Sequence, residues 1–454
     1  MTEPRIIRRE DHPISRKDID RDSLHVLYKL KDAGHESYLV GGAVRDLFMG
    51  KRPKDYDVAT DARPNELRRI FRNSRIVGRR FRLVHVFFGP KNVEVATLRS
   101  AAEPQAHDDL YVDDDNEWGD IESDSFRRDF TINALFYSIR DFALIDYTGG
   151  IEDLKAQRIR AIGDAQVRFQ EDPVRMLRAI KFAARFGFTI EDHTHNALLD
   201  QQAEILKASR HRVTEEIFRI LTQANRENGL KLLADYGMLG MLYGDWLDSI
   251  GEDGFQQVCD FYKAVDAAAQ EDRHFPLEVL ACGLFMPFLG AIDLEKDNFN
   301  RIAARLTQDL RGMAMRMDLP KKLMNSVIDN LRGQLYLLFF HHVPKRVRRF
   351  VDTPYFDPVW QVHLLAFGRF QDLAGVQEIW REARDSVHRP LGGTVAGPDR
   401  RDIFSFRGRT GGGRNGGGGG GGGGRGRGRG GDSDDDGEWA DDKSGIMAEA
   451  AADE

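Results

Sequence analysis

The stretch LVGGAVRDLFMG, Leu39 to Gly50, decides the reading of this chain, together with KDYDVAT, Lys54 to Thr60. In the first, a β-type run meets Gly41–Gly42 and passes straight into helical apolar spacing that carries Arg45 and Asp46. Two glycines let backbone N–H groups close on an anion at the start of a helix. By itself this pattern also describes an ordinary tight turn. In the second stretch, Asp55 and Asp57 stand two apart on a β-type run, so both point to one face. Two carboxylates on one face repel unless a cation sits between them. Mg²⁺ takes oxygen ligands of this kind, often one or two carboxylates with phosphate oxygens. Thirteen residues separate Gly42 from Asp55, which places the pair on the next strand, beside the glycine turn. The combination is far more specific than either part.

Four further segments add polar chemistry. In VEVATLR, Glu94 alternates with Val93 and Val95 on a neighbouring β-type run. It can supply a third carboxylate to the same face, or simply point outward. RRDFTINALFYS, Arg127 to Ser138, is read as a helix from Phe126 to Ser138. On it Asp129 and Asn133 share a face beside Arg128, a set suited to phosphate, metal or ribose. EDPVRMLRAIKFAARFGF, Glu171 to Phe188, starts a helix at Asp172–Pro173. Arg175, Arg178 and Lys181 then form a basic ridge opposite Met176, Leu177, Ile180 and Phe182. Asp172 and Arg175 can hold each other rigid and present donors and an acceptor to a base edge. Seven arginines lie between Arg68 and Arg82, with Phe71 and Phe81 interleaved. Arg79, Arg80 and Arg82 with these aromatics suit RNA phosphates and bases.

Around these motifs the pattern is α+β. A helix over Ile19–Ala33 and short β-type runs (Ser37–Val40, Tyr56–Ala59, Arg75–Val77, Leu83–Phe88, Val93–Leu98, Ala143–Tyr147) make a small mixed head. From Pro173 onward β runs vanish and helical spacing takes over. The expected domains are a head over 19–148, a helical neck over 149–236, a helical, RNA-binding body over 237–390 and a disordered tail over 391–454. Seventeen of the 45 glycines lie between Arg407 and Gly431 among arginines, and such a segment cannot bury a core. Seven acids follow between Asp432 and Asp442, and nine more lie between Asp108 and Asp124, read as a solvated loop. Val279–Ile292 reads as one buried helix, too short for a bilayer. A net charge of −7 excludes a protein that coats nucleic acid wholesale, and two cysteines exclude a disulfide framework. The charged start is no secretory segment, so a cytoplasmic location is expected.

In this order GGAVRD, DYD, RRDFTINA and EDPVRMLRA resemble the class II tRNA nucleotidyltransferase and bacterial poly(A) polymerase family of the DNA polymerase β superfamily. The resemblance is strong from Ile19 to Tyr236 and weak beyond. It implies that Asp55 and Asp57 hold two Mg²⁺ ions, with Asp129 as the third active-site acid. Glu94 competes with Asp129 on strand geometry. It implies a nucleotide-binding turn at Gly41, Gly42, Arg45 and Asp46, and sugar-phosphate contacts from Arg128 and Asn133. Asp172, Arg175, Arg178 and Lys181 would select the nucleotide without a template. The family has two branches, one adding CCA to tRNA and one adding poly(A) to RNA. IVGRRFRLVHV (Ile76 to Val86), the Arg-rich tail and RRFVDTPYFDPVWQVHLL (Arg348 to Leu365) resemble the polymerase branch. The implied reaction is transfer of AMP from ATP to RNA 3′ ends with release of pyrophosphate, promoting RNA turnover. The implied partners are RNA 3′ ends and RNA-degradation machinery or RNA chaperones, with no membrane. The alternatives are CCA addition to tRNA and a catalytically dead RNA-binding scaffold.

Overall fold

The computed structural model describes residues 3–78, 82–100, 118–223, 225–290, 298–368 and 373–387. Arg79 and Arg80, most of the acidic stretch from Asp108, and the whole Gly/Arg and acidic tail therefore lie outside the described residues. Chain contacts divide the protein into two units, 1–273 and 274–454.

The first unit is built on a sheet of β1 (Arg5–Ile7), β2 (Ser37–Val40), β3 (Asp57–Thr60), β4 (Ser74–Val77), β5 (Leu83–Phe88), β6 (Lys91–Thr97), β7 (Leu135–Ser138) and β8 (Leu144–Asp146). Its order is β1-β8-β7-β2-β3-β6-β5-β4. Neighbours run antiparallel except β3 and β6, which are parallel. Alternation fixes the register: Val84 faces Val95 and Val86 faces Val93, all four buried. Helix α1 (Arg21–Asp32) starts where the Asp20 carboxylate accepts the N–H groups of Asp22 and Ser23, and it buries Val26, Leu27 and Leu30. Short helices α2 (Gly42–Phe48) and α3 (Pro64–Ile70) follow β2 and β3.

The helix expected over Phe126–Ser138 is not formed. The chain instead makes α4 (Ile121–Phe126), a 3₁₀ turn at Thr131–Asn133 and strand β7. Leu135, Phe136 and Tyr137 are wholly buried between β2 and β8. A run of large apolar residues gains more from two flanking strands than from one helix face. The rest of the first unit comprises α5 (Gly150–Lys155), α6 (Ala165–Glu171), α7 (Val174–Phe186), α8 (Asp192–Asp200), α9 (Arg210–Thr222), α10 (Arg226–Asp235) and α11 (Met238–Gln270). Strands do not quite vanish there: β9 (Arg158–Ile159) pairs with β10 (Thr189–Ile190), too short to show a period. Helix α7 is central, with Met176, Leu177, Ala179 and Ile180 fully buried, and it stops at Gly187, φ +70°.

The second unit is helical in its described residues: α12 (Leu277–Cys282), α13 (Pro287–Gly290), α14 (Phe299–Arg316), α15 (Lys321–Phe340), α16 (Pro344–Val351), α17 (Phe356–Phe367) and α18 (Ala374–Ser386). The apolar run from Val279 is buried, but a 3₁₀ turn at Gly283–Phe285 and Pro287 divide it, because proline cannot donate within a helix. Trp380 locks α18 onto α15 by donating Nε1–H to the Leu337 carbonyl at 3.0 Å.

His363 gives this unit an acid weakness. Its Nδ1 lies 3.1 Å from Gln334 Oε1, its Nε2 has no partner, and its ring stacks on Trp360 at 5.5 Å. Burial pushes the imidazole down to about 4. Above pH ~6.5 it is neutral in both folded and unfolded chains. Below that, the unfolded chain takes up the proton first, so stability falls from pH ~6.5 to about 4, by roughly 3 kcal/mol. Denaturant unfolding followed by tryptophan fluorescence should show this loss, and His363→Leu should flatten it. A midpoint equally steep in pH in both proteins would contradict it.

Candidate active site

The site begins where β2 ends. Gly41 has φ +65°, and a Cβ there would stand 3.2 Å from Arg128 Nη1 and 3.7 Å from the Asn133 carbonyl. The register Val40 opposite Asp57 sets this turn against the start of β3, as its spacing from the aspartates had predicted. Asp57 opens β3, and Asp55 lies just before it rather than on it; both are exposed. Parallel pairing of Val58 with Val95 brings Glu94 beside Asp57 on the same face of the sheet. Glu94 is half-buried, with its carboxylate 3.6 Å from His85 Nε2. Among the described residues no three His, Cys, Asp or Glu side chains converge as a metal cluster. The carboxylates of Asp55 and Asp57, together with substrate phosphate oxygens, would make an all-oxygen donor set of the kind Mg²⁺ takes.

Arg45 and Asp46 are buried under the turn. Arg45 donates Nε–H to Asp46 Oδ1 at 2.8 Å and Nη1–H to Asn133 Oδ1 at 2.5 Å, over the Phe186 ring at 4.6 Å. Arg185 of α7 donates to Asp46 Oδ2 at 3.2 Å, so the turn is tied to that helix.

Arg128 is aimed at the turn by Asp124. It donates Nε–H and Nη2–H to Asp124 Oδ2 at 3.1 and 2.8 Å, and its guanidinium lies 4.9 Å from the Phe136 ring centre. Arg127 takes the other oxygen of Asp124 at 2.7 Å. Asp124 is 1% exposed, so it is not part of a solvated acidic loop. The RRDF context three residues on was the signal for this pairing.

Asp129 and Asn133 meet as expected, but through the 3₁₀ turn. Asp129 Oδ1 accepts Phe130 N–H at 2.8 Å and Asn133 Nδ2–H at 3.2 Å. Its Oδ2 accepts Arg178 Nε–H at 2.7 Å and a second N–H from Nη2. Burial alone would raise its pKa, but the Arg178 guanidinium overrides this and holds it at about 2.

On α7 the expected clasp between Asp172 and Arg175 is absent. Arg175 donates to Glu171 Oε2 and to the Arg168 carbonyl, both at 3.0 Å. Asp172 accepts instead from Arg212 of α9 at 2.8 Å, and its buried Oδ1 has no partner. Asp172 lies at the end of α6 with φ −146°, outside the helical stacking that would bring it over Arg175. Nor is the basic ridge a free one. Glu216 of α9, 5% exposed, accepts from Lys181 Nζ at 2.5 Å and Arg219 at 2.7 Å, with Arg178 at 3.7 Å. Burial, with Arg178 nearby, pulls the Lys181 ammonium down to about 8. Sequence reasoning missed Glu216, although it falls on the apolar stripe of Val213, Ile217 and Ile220.

The family description "Poly A polymerase head domain" matches residues 37–160, the glycine turn and aspartates included. A second, "Probable RNA and SrmB- binding site of polymerase A", matches residues 187–243. "Poly(A) polymerase I" of Escherichia coli O157:H7 is 46% identical over 246 residues, covering 52% of this chain and 53% of that protein. Residues 37–160 are thus similar to the head domain of poly(A) polymerases, and the chain resembles both those enzymes and the CCA-adding enzymes. It spans about half the length of the curated relatives it matches. "CCA-adding enzyme" of Leuconostoc mesenteroides is 37% identical over 239 residues, covering 51% of this chain and 59% of that one. The likeness to solved structures extends over the helices as well. The CCA-adding enzyme of Bacillus stearothermophilus, solved with CTP, superposes with TM-score 0.57 at 25% identity, covering 82% of this chain and 89% of the other.

Proposed function

We propose that this chain adds AMP from ATP to RNA 3′ ends without a template, releasing pyrophosphate. The observation that carries the reading is the greater identity to poly(A) polymerase I, 46% against 37% for a CCA-adding enzyme over nearly the same length. Asp55 and Asp57 would hold two Mg²⁺ ions, which when bound supply positive charge to the RNA 3′-hydroxyl and the triphosphate. Glu94, beside Asp57, is the third acid of that face. Asp129, whose oxygens are taken by four donors, positions Arg178 and Asn133. Gly41 and Gly42 give close backbone approach to the triphosphate, with Arg45 and Asp46 holding the turn from below. Arg128 and Asn133 serve the sugar and phosphates.

Base choice lies with Asp172 and Arg175, supported by Arg178 and Lys181. A site built on polar contacts rejects a base that leaves them unpaired. The unpartnered Asp172 Oδ1 is such a contact awaiting a base, once Arg175 leaves Glu171. Arg82, with Arg79 and Arg80, takes the RNA backbone. RNA-degradation machinery or RNA chaperones are the protein partners this role suits, in the cytoplasm. Among the described residues no helix is long and apolar enough to cross a membrane. CCA addition is the second reading, favoured by the solved CCA-adding enzymes that share the fold. Extension of single-stranded RNA with each nucleoside triphosphate in turn separates the two.

A further inference from the structure

The 274–454 unit carries an open groove of about 620 Å³ along α14, with Arg332 of α15 on its flank. Its polar lining is Asn300, Thr307, Gln308, Arg311 and Arg332, with no carboxylate among the lining residues. Ala304 and Gly312 keep the floor low, so an extended chain can approach the helix closely. Met315, 65% exposed, offers an apolar face at the rim. Helix α14 holds four arginines and one aspartate in a chain whose net charge is −7. Arg332 Nε is buried and has no hydrogen-bond partner. A donor withdrawn from water and left unpaired is costly, so an acceptor in the groove would relieve it.

We propose that this groove binds the phosphodiester backbone of single-stranded RNA, through the guanidinium groups of Arg311 and Arg332. The proposal rests on the reading of the chain as an RNA-extending enzyme, and it adds a contact to RNA on the second unit. Guanidinium forks match phosphate oxygens bidentately, where an ammonium acts only as a point charge. The amides of Asn300 and Gln308 supply further donors to phosphate or ribose. An exposed thioether beside a cationic track accommodates a base face without selecting its sequence.

The test is binding of a fluorescein-labelled oligoadenylate to the full chain over a salt series. Each phosphate contact contributes ~0.7 to the log–log slope for single strands, so Arg311→Ala/Arg332→Ala should lower the slope by about 1.4. Single-turnover AMP transfer at saturating RNA should stay as in wild type. Arg311→Lys/Arg332→Lys should keep most of the slope while losing affinity. If the double alanine variant fails to fold, Arg311→Ala and Gln308→Glu, both at exposed positions, carry the same test, and each should weaken binding. An unchanged slope and affinity in a folded variant overturns the proposal while leaving the extension reading intact. A wild-type chain that binds no RNA overturns both. Polyglutamate that binds wild type as tightly as RNA of equal charge, and loses that affinity in Arg311→Ala, would assign the groove to an acidic polypeptide and overturn it too.

Discussion

Asp55→Ala or Asp57→Ala should lower AMP addition by roughly 10³-fold, from several kcal/mol of lost charge stabilisation at about 1.4 kcal/mol per decade. Both side chains are exposed at the mouth of β3, so neither change disturbs packing. Oligoadenylate affinity and thermal unfolding should stay near wild type. Residual addition above roughly a tenth of wild type in either variant removes the two-metal assignment. Glu94→Ala beside Asp129→Ala decides the third acid. Loss of Glu94 should lower addition with an intact fold, whereas loss of Asp129 should also destabilise the first unit by freeing Arg178.

Arg178→Ala should be the most destabilising single change at the site. It leaves the Asp129 carboxylate, 11% exposed, without its guanidinium partner. Breaking a buried pair on one side costs about 3 kcal/mol, which at ~2–4 °C per kcal/mol lowers the midpoint by roughly 6–12 °C. Asp129→Asn in the same chain should recover part of this, because no unpaired charge remains. The pH dependence follows from the depressed pKa. Asp129 is held at about 2 against an ordinary 3.8, so its stabilising contribution is complete above pH 3.8 and is lost as pH falls toward 2. Arg178→Ala should remove that acid sensitivity. A scanning-calorimetry midpoint within about 2 °C of wild type, against the ~6–12 °C expected, would refute the buried pair.

What was legible in the sequence was mostly local. Turn chemistry and short-range alternation showed β2, the glycine turn, β5 and α1, since each depends on neighbours a few residues away. Helical period also found α7, although not what its charges touch. The failures share one cause. LFYS became β7 because β2 and β8 flank it, and no local preference reports that. Asp124 looked like one acid among nine until Arg127 and Arg128 turned back onto it. Arg175 follows two adjacent acids, Glu171 and Asp172, within a helical turn of each, and the break between α6 and α7 decides which it meets. Glu216 arrives from another helix to neutralise Lys181, a contact 35 residues apart in the chain. The residue types of the site were readable; their pairings depended on tertiary approach.

Mg²⁺-dependent extension of one single-stranded RNA and one tRNA lacking its 3′ end, with each nucleoside triphosphate supplied separately and then together, reads out the reaction itself. A long ladder is expected on the single-stranded RNA with ATP alone. Addition confined to tRNA, stopping after two cytidines and one adenosine, would contradict it.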